Sequence, residues 1–267
     1  MKRAGTIAAG LLSIVLAHHA ALLPHEYAHS FMAWALGYKS DPLVIHWGVR
    51  RVTDVILLTD INQRVDYAAM YARGDGFAAA LVGFAGPGLA NGALYLVSLW
   101  LLRRPRVRSS TLLFTFVFWF NFMNLGNFFD YVPIRTFAPT GDMADIAKGL
   151  GTSPWVILVV LGIPTAIAMW FFFARTLPMA LGRMASSSFE RGLVVTLSVV
   201  IMFGYFGLVG IEGYGKTSRI LSLLSLCLIP IILIVCWPTR RWMRVRIAAS
   251  SGPAQNRVAA RARAELG

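Results

Sequence analysis

The chain has 267 residues, of which 57% are hydrophobic and only 14% are charged. This balance excludes an ordinary soluble domain, and several apolar runs approach the roughly 20 residues that cross a bilayer as a helix. The net charge of +13 is spread over short basic runs that flank these apolar segments, without a nucleic-acid-reading motif. Composition therefore predicts an integral, multi-pass, all-α membrane protein with about six transmembrane helices, whose partner is the lipid bilayer and not a nucleic acid.

Cysteine usage limits the kinds of site that the chain can build. Its two cysteines, Cys227 and Cys236, both lie in the last apolar run. They predict neither a disulfide framework nor a cysteine-ligated metal site. Since only five histidines are present, a metal site in this chain must be completed by a carboxylate.

The first predicted transmembrane helix, residues 5–36, contains the sequence His25-Glu26-Tyr27-Ala28-His29. On a helix, His25 and His29 lie one turn apart on the same face, which is the spacing at which two imidazoles hold one zinc ion. Glu26 lies about 100° round the helix, where its carboxylate can act as a general base toward a water on that metal. The alternative is a pair of packed histidines beside a snorkelling glutamate, but burial of Glu26 in lipid costs roughly 2.5–3.5 kcal/mol. Because that cost must be offset, the pattern favours a metal site with Glu26 as the catalytic base.

Residues 38–76 form the most polar part of the chain. Within them, residues 42–48 and 54–59 are rich in β-branched and apolar side chains and are too short to cross a membrane as helices. They predict the two strands of a short β-hairpin after the first helix. An edge strand of this hairpin could pair with an extended substrate near the histidine motif, and the alternative is an ordinary surface loop.

The second and third predicted spans carry polar residues inside apolar helices. The second, residues 77–102, contains Gly83-Phe84-Ala85-Gly86-Pro87-Gly88-Leu89-Ala90-Asn91, whose small residues allow helices to approach closely. The third, residues 111–130, has a polar side chain at every third position, at Asn121, Asn124, Asn127 and Asp130. Such a stripe faces the bundle interior or a water-filled cavity, where it either forms interhelical hydrogen bonds or lines a catalytic cleft.

The segment after the third span contains Pro133 and Pro139, which keep it extended as far as Asp142. Asp142 precedes a predicted short helix, residues 143–150, where a carboxylate suits the N-cap position. Capping is therefore the simpler role of Asp142, and metal ligation is the alternative.

Three further spans are predicted at residues 154–174, 193–211 and 220–237, and none of them contains a catalytic pattern. One membrane domain thus covers residues 1–238, with a core of about residues 5–150 and extra helices at 154–237. The arginine-rich tail, residues 239–267, is predicted to be a basic, partly disordered segment at the membrane surface.

Three motifs occur in one order: the histidine motif in a transmembrane helix, Gly86-Pro87…Asn91 in the next span, and Asn127…Pro133…Asp142 after it. Because these motifs follow one another in this order, the segment of about residues 15–150 resembles the site-2 protease family of intramembrane zinc metalloproteases. The resemblance implies a three-helix catalytic core within the membrane, in which zinc is held by two histidines and one aspartate.

Residue by residue, the resemblance implies that His25 and His29 are the histidine ligands of Zn²⁺ and that Glu26 is the catalytic base. It implies Asp142 as the third ligand, with Asp130 as the alternative. It also suggests substrate-binding roles for two asparagines, Asn91 and Asn127. The segment that ends at Asn91 is one residue longer than the usual Gly-Pro-x-x-Asn of the family, which on an α-helix turns Asn91 by about 100°.

The function predicted from these observations is that of a zinc metalloendopeptidase of the plasma membrane. Its substrate would be another membrane protein, cut in or near a transmembrane segment. A non-proteolytic metal-dependent membrane enzyme is one alternative. A non-catalytic transporter or scaffold is the other.

Overall fold

The structure is a computed structural model that describes residues 2–48, 51–59 and 61–250, with side chains from Ala8 onward. The described residues contain helices and no strand. Six helical stretches are long and apolar enough to cross a membrane, which confirms the predicted all-α, multi-pass architecture. They are Ala8–Ala35, Gly76–Leu101, Thr111–Ile134, Pro154–Met184, Ser188–Ile211 and Gly215–Cys236.

The α-helices are numbered in chain order. They are α1 (Lys2–Ala35), α2 (Val52–Leu57), α3 (Tyr67–Ala72), α4 (Gly76–Phe84), α5 (Gly92–Leu101), α6 (Pro105–Ser109), α7 (Thr111–Phe129), α8 (Asp142–Gly149), α9 (Pro154–Phe171), α10 (Leu177–Met184), α11 (Ser188–Val200), α12 (Gly215–Cys236) and α13 (Arg241–Ser250). Four of the six spans also contain a π-helical turn, at Ala85–Asn91, Asp130–Ile134, Phe172–Thr176 and Ile201–Phe206. Such turns are usually single insertions inside α-helices and are frequent at functional sites.

The first three spans pack directly against one another. Helix α1 contacts α7 and the π-helical turn Ala85–Asn91, and α5 contacts α7. The polar stripe of α7 lies inside this group, because Asn121, Asn124 and Asn127 are all buried. The stripe therefore faces the bundle interior, as its spacing predicted.

The later spans are joined to α7 by a cluster of aromatic side chains. Phe118 and Phe122 on α7 pack against Phe172 of the fourth span and belong to the same buried cluster as Phe206 of the fifth. Since aromatic side chains bury a large apolar area in each contact, this cluster stabilises the later spans against the first three.

The predicted β-hairpin is wrong. Residues 52–57 form helix α2, and the only pairing near residues 42–48 among the described residues is an isolated antiparallel bridge between His46 and Asn62. Helix α2 begins where the Asp54 carboxylate accepts the N–H of Arg51 at 3.1 Å. This hydrogen bond, with the two that hold the other end of α2 to α1, favours the helix over the strand that the branched side chains predict.

Two imidazoles of α1 hold the C-terminal end of α2. Nε2 of His18 lies 2.9 Å from the carbonyl oxygen of Leu57, and Nε2 of His19 lies 2.8 Å from that of Val55. The last carbonyls of a helix have no partner within it, so these contacts satisfy two of them. Both histidines thus serve to attach the segment between the first two spans.

The predicted basic tail begins with a helix, α13, that packs against α10. Its side chains Met243 and Ile247, one turn apart, are buried. Residues 251–267 of the tail lie outside the described residues.

Candidate metal centre

The histidine motif presents two imidazole nitrogens to one point beside α1. Nε2 of His25 and Nε2 of His29 are 3.0 Å apart, and both side chains are fully buried. Oδ2 of Asp142 lies 3.2 Å from each of these nitrogens. Three potential ligand atoms from two distant parts of the sequence therefore form a nearly equilateral triangle.

Asp142 reaches this point because of the way α8 begins. Gly141 occupies the N-cap position with φ +101°, a left-handed value that favours glycine. Asp142 is then the first residue of the helix and not its cap, which differs from the simpler role predicted for it. Helix α8 packs against α4, so the carboxylate is held beside the histidines.

The second nitrogen of each histidine faces a hydrogen-bond acceptor. Nδ1 of His29 lies 2.6 Å from the carbonyl oxygen of Val82, which can only accept a hydrogen bond. Nδ1 of His25 lies 2.6 Å from Oδ1 of Asn91. Both imidazoles consequently carry their proton on Nδ1, and both Nε2 lone pairs point toward Asp142.

The orientation of the Asn91 amide follows from a chain of hydrogen bonds. Asn124 donates from Nδ2 to the carbonyl oxygen of Phe120 at 2.8 Å, so its Oδ1 is free to accept. Nδ2 of Asn91 donates to that Oδ1 at 2.9 Å and to the carbonyl oxygen of Ala21 at 3.0 Å. Oδ1 of Asn91 must therefore face His25, and the polar stripe of α7 determines which nitrogen of His25 is a ligand.

The three ligand atoms fit a metal ion. In a tetrahedral site with bonds of about 2.0–2.1 Å, neighbouring ligand atoms are about 3.4 Å apart, close to the triangle seen here. Two lone pairs and a carboxylate oxygen converge without a proton between them, and Oδ2 of Asp142 has no hydrogen-bond donor among the described residues. A cation offsets this repulsion, whereas an empty cluster of acceptors does not.

Gly86 keeps this space open. A Cβ atom at position 86 would lie 2.2 Å from Nε2 of His29 and 2.7 Å from Nε2 of His25. No other residue type allows the second span to approach the two imidazoles so closely. The Gly86-Pro87 pair thus borders the candidate metal position itself.

Glu26 lies next to the ligands but is not one of them. The residue is only 5% exposed, and its Oε1 is 4.0 Å from Nε2 of His25. Oε2 is buried and has no hydrogen-bond partner among the described residues. A carboxylate in this position can accept a proton from a molecule bound beside the histidines.

Asp130, the alternative third ligand, has a different partner. It forms an ion pair with Arg135, whose guanidinium lies 4.0 Å from the centre of the Tyr131 ring. The ring of Tyr131 is also stacked on that of His25, with ring centres 4.7 Å apart. Asp130 therefore acts on the site through Arg135 and Tyr131, which hold the imidazole of His25 in place.

Two asparagines were suggested for substrate binding. The side chain of Asn91 makes its hydrogen bonds to His25, Ala21 and Asn124, all within the protein. A substrate role for it stays a prediction. Asn127 differs, because its Nδ2 is buried and has no partner among the described residues. It can donate a hydrogen bond to a water or to a substrate in the interior.

Several contributors to the site have no feature in the sequence that identifies them. The carbonyl of Val82 is a backbone group, and Tyr131 is one aromatic residue among many. Tyr67 is another: burial raises the pKa of its hydroxyl, and the charges of Asp142 and Asp145 raise it further. The hydroxyl of Tyr67 is therefore neutral, and it accepts a hydrogen bond from Nε2 of Gln63.

Comparison of the chain with known protein families, with curated proteins and with solved structures finds no match.

Proposed function

We propose that the protein is an intramembrane zinc metalloendopeptidase that resembles the site-2 proteases. The observation that carries the proposal is the meeting of His25, His29 and Asp142 at one buried point with Glu26 beside it. A pair of histidines with an adjacent glutamate and a distant carboxylate is the residue set of zinc-dependent peptide hydrolysis.

The donor set favours zinc over other ions. Two imidazole nitrogens and one carboxylate oxygen leave a fourth tetrahedral position open, as catalytic zinc sites require. A hard ion such as Mg²⁺ or Ca²⁺ prefers an all-oxygen set. When bound, zinc would supply a Lewis acid that polarises the scissile carbonyl and lowers the pKa of a water to about 7.

The protein side chains would then handle the protons and the orientation. Glu26 would take a proton from the attacking water and pass it to the nitrogen of the leaving amine. Asn91 and the Val82 carbonyl would keep both imidazoles in the tautomer that offers Nε2. Tyr131, stacked on His25, would restrict the rotation of that ring.

The position of the site supports a membrane-protein substrate. His25 lies about 15 Å along α1 from its end at Ala35, so the two histidine ligands are within a span and not in a loop. Peptide hydrolysis at this depth needs water, for which the unpaired Nδ2 of Asn127 offers a hydrogen bond. We propose a transmembrane or adjacent segment of another protein as the substrate, and the cell membrane as the location.

The test uses purified protein in detergent and then in liposomes with a library of transmembrane peptides. Zinc is measured per chain, and cleavage is followed by mass spectrometry. We expect wild type to hold about one zinc and to cut a subset of peptides. Glu26→Gln should keep the zinc and lose cleavage, whereas His25→Ala should lose both.

Other outcomes would replace the proposal. Full proteolysis by Glu26→Gln with zinc still bound would remove Glu26 from the mechanism. Zinc binding with turnover of a lipid or small molecule, and no peptide cleavage, would indicate a non-proteolytic metal enzyme. Biological activity retained by His25→Ala would indicate a scaffold or transporter.

A further inference from the structure

A cluster of arginines lies after the end of the sixth span, beside the π-helical turn Phe172–Thr176 of the fourth. Four arginines, Arg175, Arg240, Arg241 and Arg246, line one cavity of about 800 Å³ there, together with Trp242 and Val245. Arg175 belongs to the fourth span, and the others lie at or after the end of α12. Residues from two separate parts of the chain are thus brought to one cationic cavity.

The positive charge of this cavity is not neutralised by acidic side chains in the part of the chain that the structure describes. None of the four arginines forms an ion pair among the described residues. Hydrogen bonds from the guanidinium groups are also absent, within the described residues, for Arg175, Arg241 and Arg246. Four like charges held together destabilise each other, so an anionic ligand would stabilise the arrangement.

The cationic cavity shares Trp242 with an apolar groove. This groove, of about 820 Å³, lies between α9 and α12 on the membrane-facing side and is also lined by Trp242. Val159, Ile163 and Trp170 form part of its wall and are 55%, 57% and 63% exposed. Trp242 lines both cavities, so one ligand can place a charged end among the arginines and an apolar part in the groove.

The junction of the two cavities is held by hydrogen bonds. Nε1 of Trp242 donates to the carbonyl oxygen of Val235 at 2.9 Å, and Nε of Arg240 donates to that of Ile234 at 2.9 Å. Both carbonyls belong to the last turn of α12, where no partner within the helix is available. The position of α13 is therefore tied to the end of α12.

We propose that the two cavities together form a binding site for one anionic phospholipid. Guanidinium groups bind phosphate with paired hydrogen bonds, which places the phosphate of the headgroup among the four arginines. The acyl chains would then lie in the groove between α9 and α12. Basic clusters at the membrane surface attract acidic lipids in the same way. This inference does not use the metal centre and does not depend on the proposed peptidase activity.

The test measures lipid retention by the full chain after delipidation in detergent, with native mass spectrometry. The probes are phosphatidylglycerol and phosphatidylcholine with identical acyl chains. We expect phosphatidylglycerol to bind at least about tenfold more tightly, since each arginine near a headgroup contributes about fivefold. The variant Arg175→Gln/Arg241→Gln/Arg246→Gln should bind the two lipids equally.

A charge-matched control separates the site from the general positive field. The variant Arg103→Gln/Arg106→Gln/Arg108→Gln removes three charges from the loop between the second and third spans and should keep the lipid preference. Equal retention of both lipids by wild type would overturn the proposal. So would an unchanged preference in the cavity variant, or an equal loss in the loop variant.

The apolar groove is tested without a change in charge. Ala166 lines the groove and faces outward, so Ala166→Trp should narrow it and leave the fold intact. We expect a several-fold loss of phosphatidylglycerol binding in this variant, and no competition from soluble glycerol phosphate. Unchanged lipid binding in Ala166→Trp, or full competition by glycerol phosphate, would mean a phosphate site without acyl-chain binding.

Discussion

His25 and Asn91 are joined by a hydrogen bond of 2.6 Å between Nδ1 and Oδ1, although they are 66 residues apart in the sequence. The same amide donates to Asn124, so three spans meet in one network at this point. The network leaves only Nε2 of His25 free to bind a metal. Metal binding should therefore depend on residues that cannot themselves reach the ion.

The first prediction concerns Asn91→Leu. Leucine is similar in size but cannot accept the proton of Nδ1, so the imidazole can rotate or adopt the other tautomer. We expect the affinity for zinc to fall roughly 10- to 100-fold, as is usual when the partner of a ligating histidine is removed. Zinc titration against a competing chelator gives the affinity directly.

Asn121→Leu is the matched control. Asn121 lies on the same stripe of α7, but its Nδ2 bonds Tyr95 and Ser98, away from the histidines. The Asn121→Leu substitution should lower thermal stability and leave the affinity for zinc unchanged. Equal zinc affinity in wild type and Asn91→Leu would refute the positioning role of Asn91.

The direction of Asn91 shows where prediction from the sequence stopped. One extra residue in the segment before it implied a rotation of about 100° away from its usual direction. The structure places a π-helical turn at Ala85–Asn91, which takes up one residue and brings the side chain back toward α1. Nothing in a single sequence distinguishes such a turn from a continuous α-helix.

The parts of the molecule that the sequence predicted correctly were those in which side chains recur at the spacing of a helical turn. The one-turn spacing of His25 and His29 and the polar stripe of α7 follow from helix geometry alone. The choice between Asp142 and Asp130 as the third ligand did not, because one ends the predicted third span and the other follows it by only twelve residues. It depends on Gly141 and on the packing of α8, which are tertiary features. Helix α2 was missed for the same reason, since its ends are held by distant histidines.

The second prediction concerns Gly86→Ala. The added methyl would lie 2.2 Å from Nε2 of His29, in the space between the ligands. We expect zinc content to fall from about one per chain to nearly none, because the ligand atoms can no longer converge. Gly92→Ala, in the same span, is the control, since its nearest new contact is 3.4 Å away. Normal zinc content in Gly86→Ala would show that the ion lies elsewhere.

The third prediction separates the two aspartates. Asp142→Ala removes a ligand and should abolish zinc binding with little loss of stability. Asp130→Asn should keep zinc but lower the melting temperature in detergent, because it leaves the partly buried charge of Arg135 without its ion-pair partner. Breaking one side of such a pair costs roughly 3–5 kcal/mol.

The double variant Asp130→Asn/Arg135→Gln supplies the control for that interpretation. Removal of both charges should recover part of the melting temperature, since no unpaired charge remains. Tryptophan fluorescence during heating reports the melting temperature. Loss of zinc in Asp130→Asn, with zinc kept in Asp142→Ala, would exchange the roles of the two residues.

The fourth prediction concerns the attachment of α2 to α1. Replacement of His18 and His19 by leucine removes the hydrogen bonds to Leu57 and Val55. Each such bond contributes about 1 kcal/mol, so the detached state of α2 should become on the order of tenfold more populated or more. Limited trypsin digestion should then cut after Arg51 correspondingly faster. His46→Leu is the control, because the bridge of His46 to Asn62 uses only backbone atoms. Equal cleavage rates in all three proteins would mean that other contacts hold α2 in place.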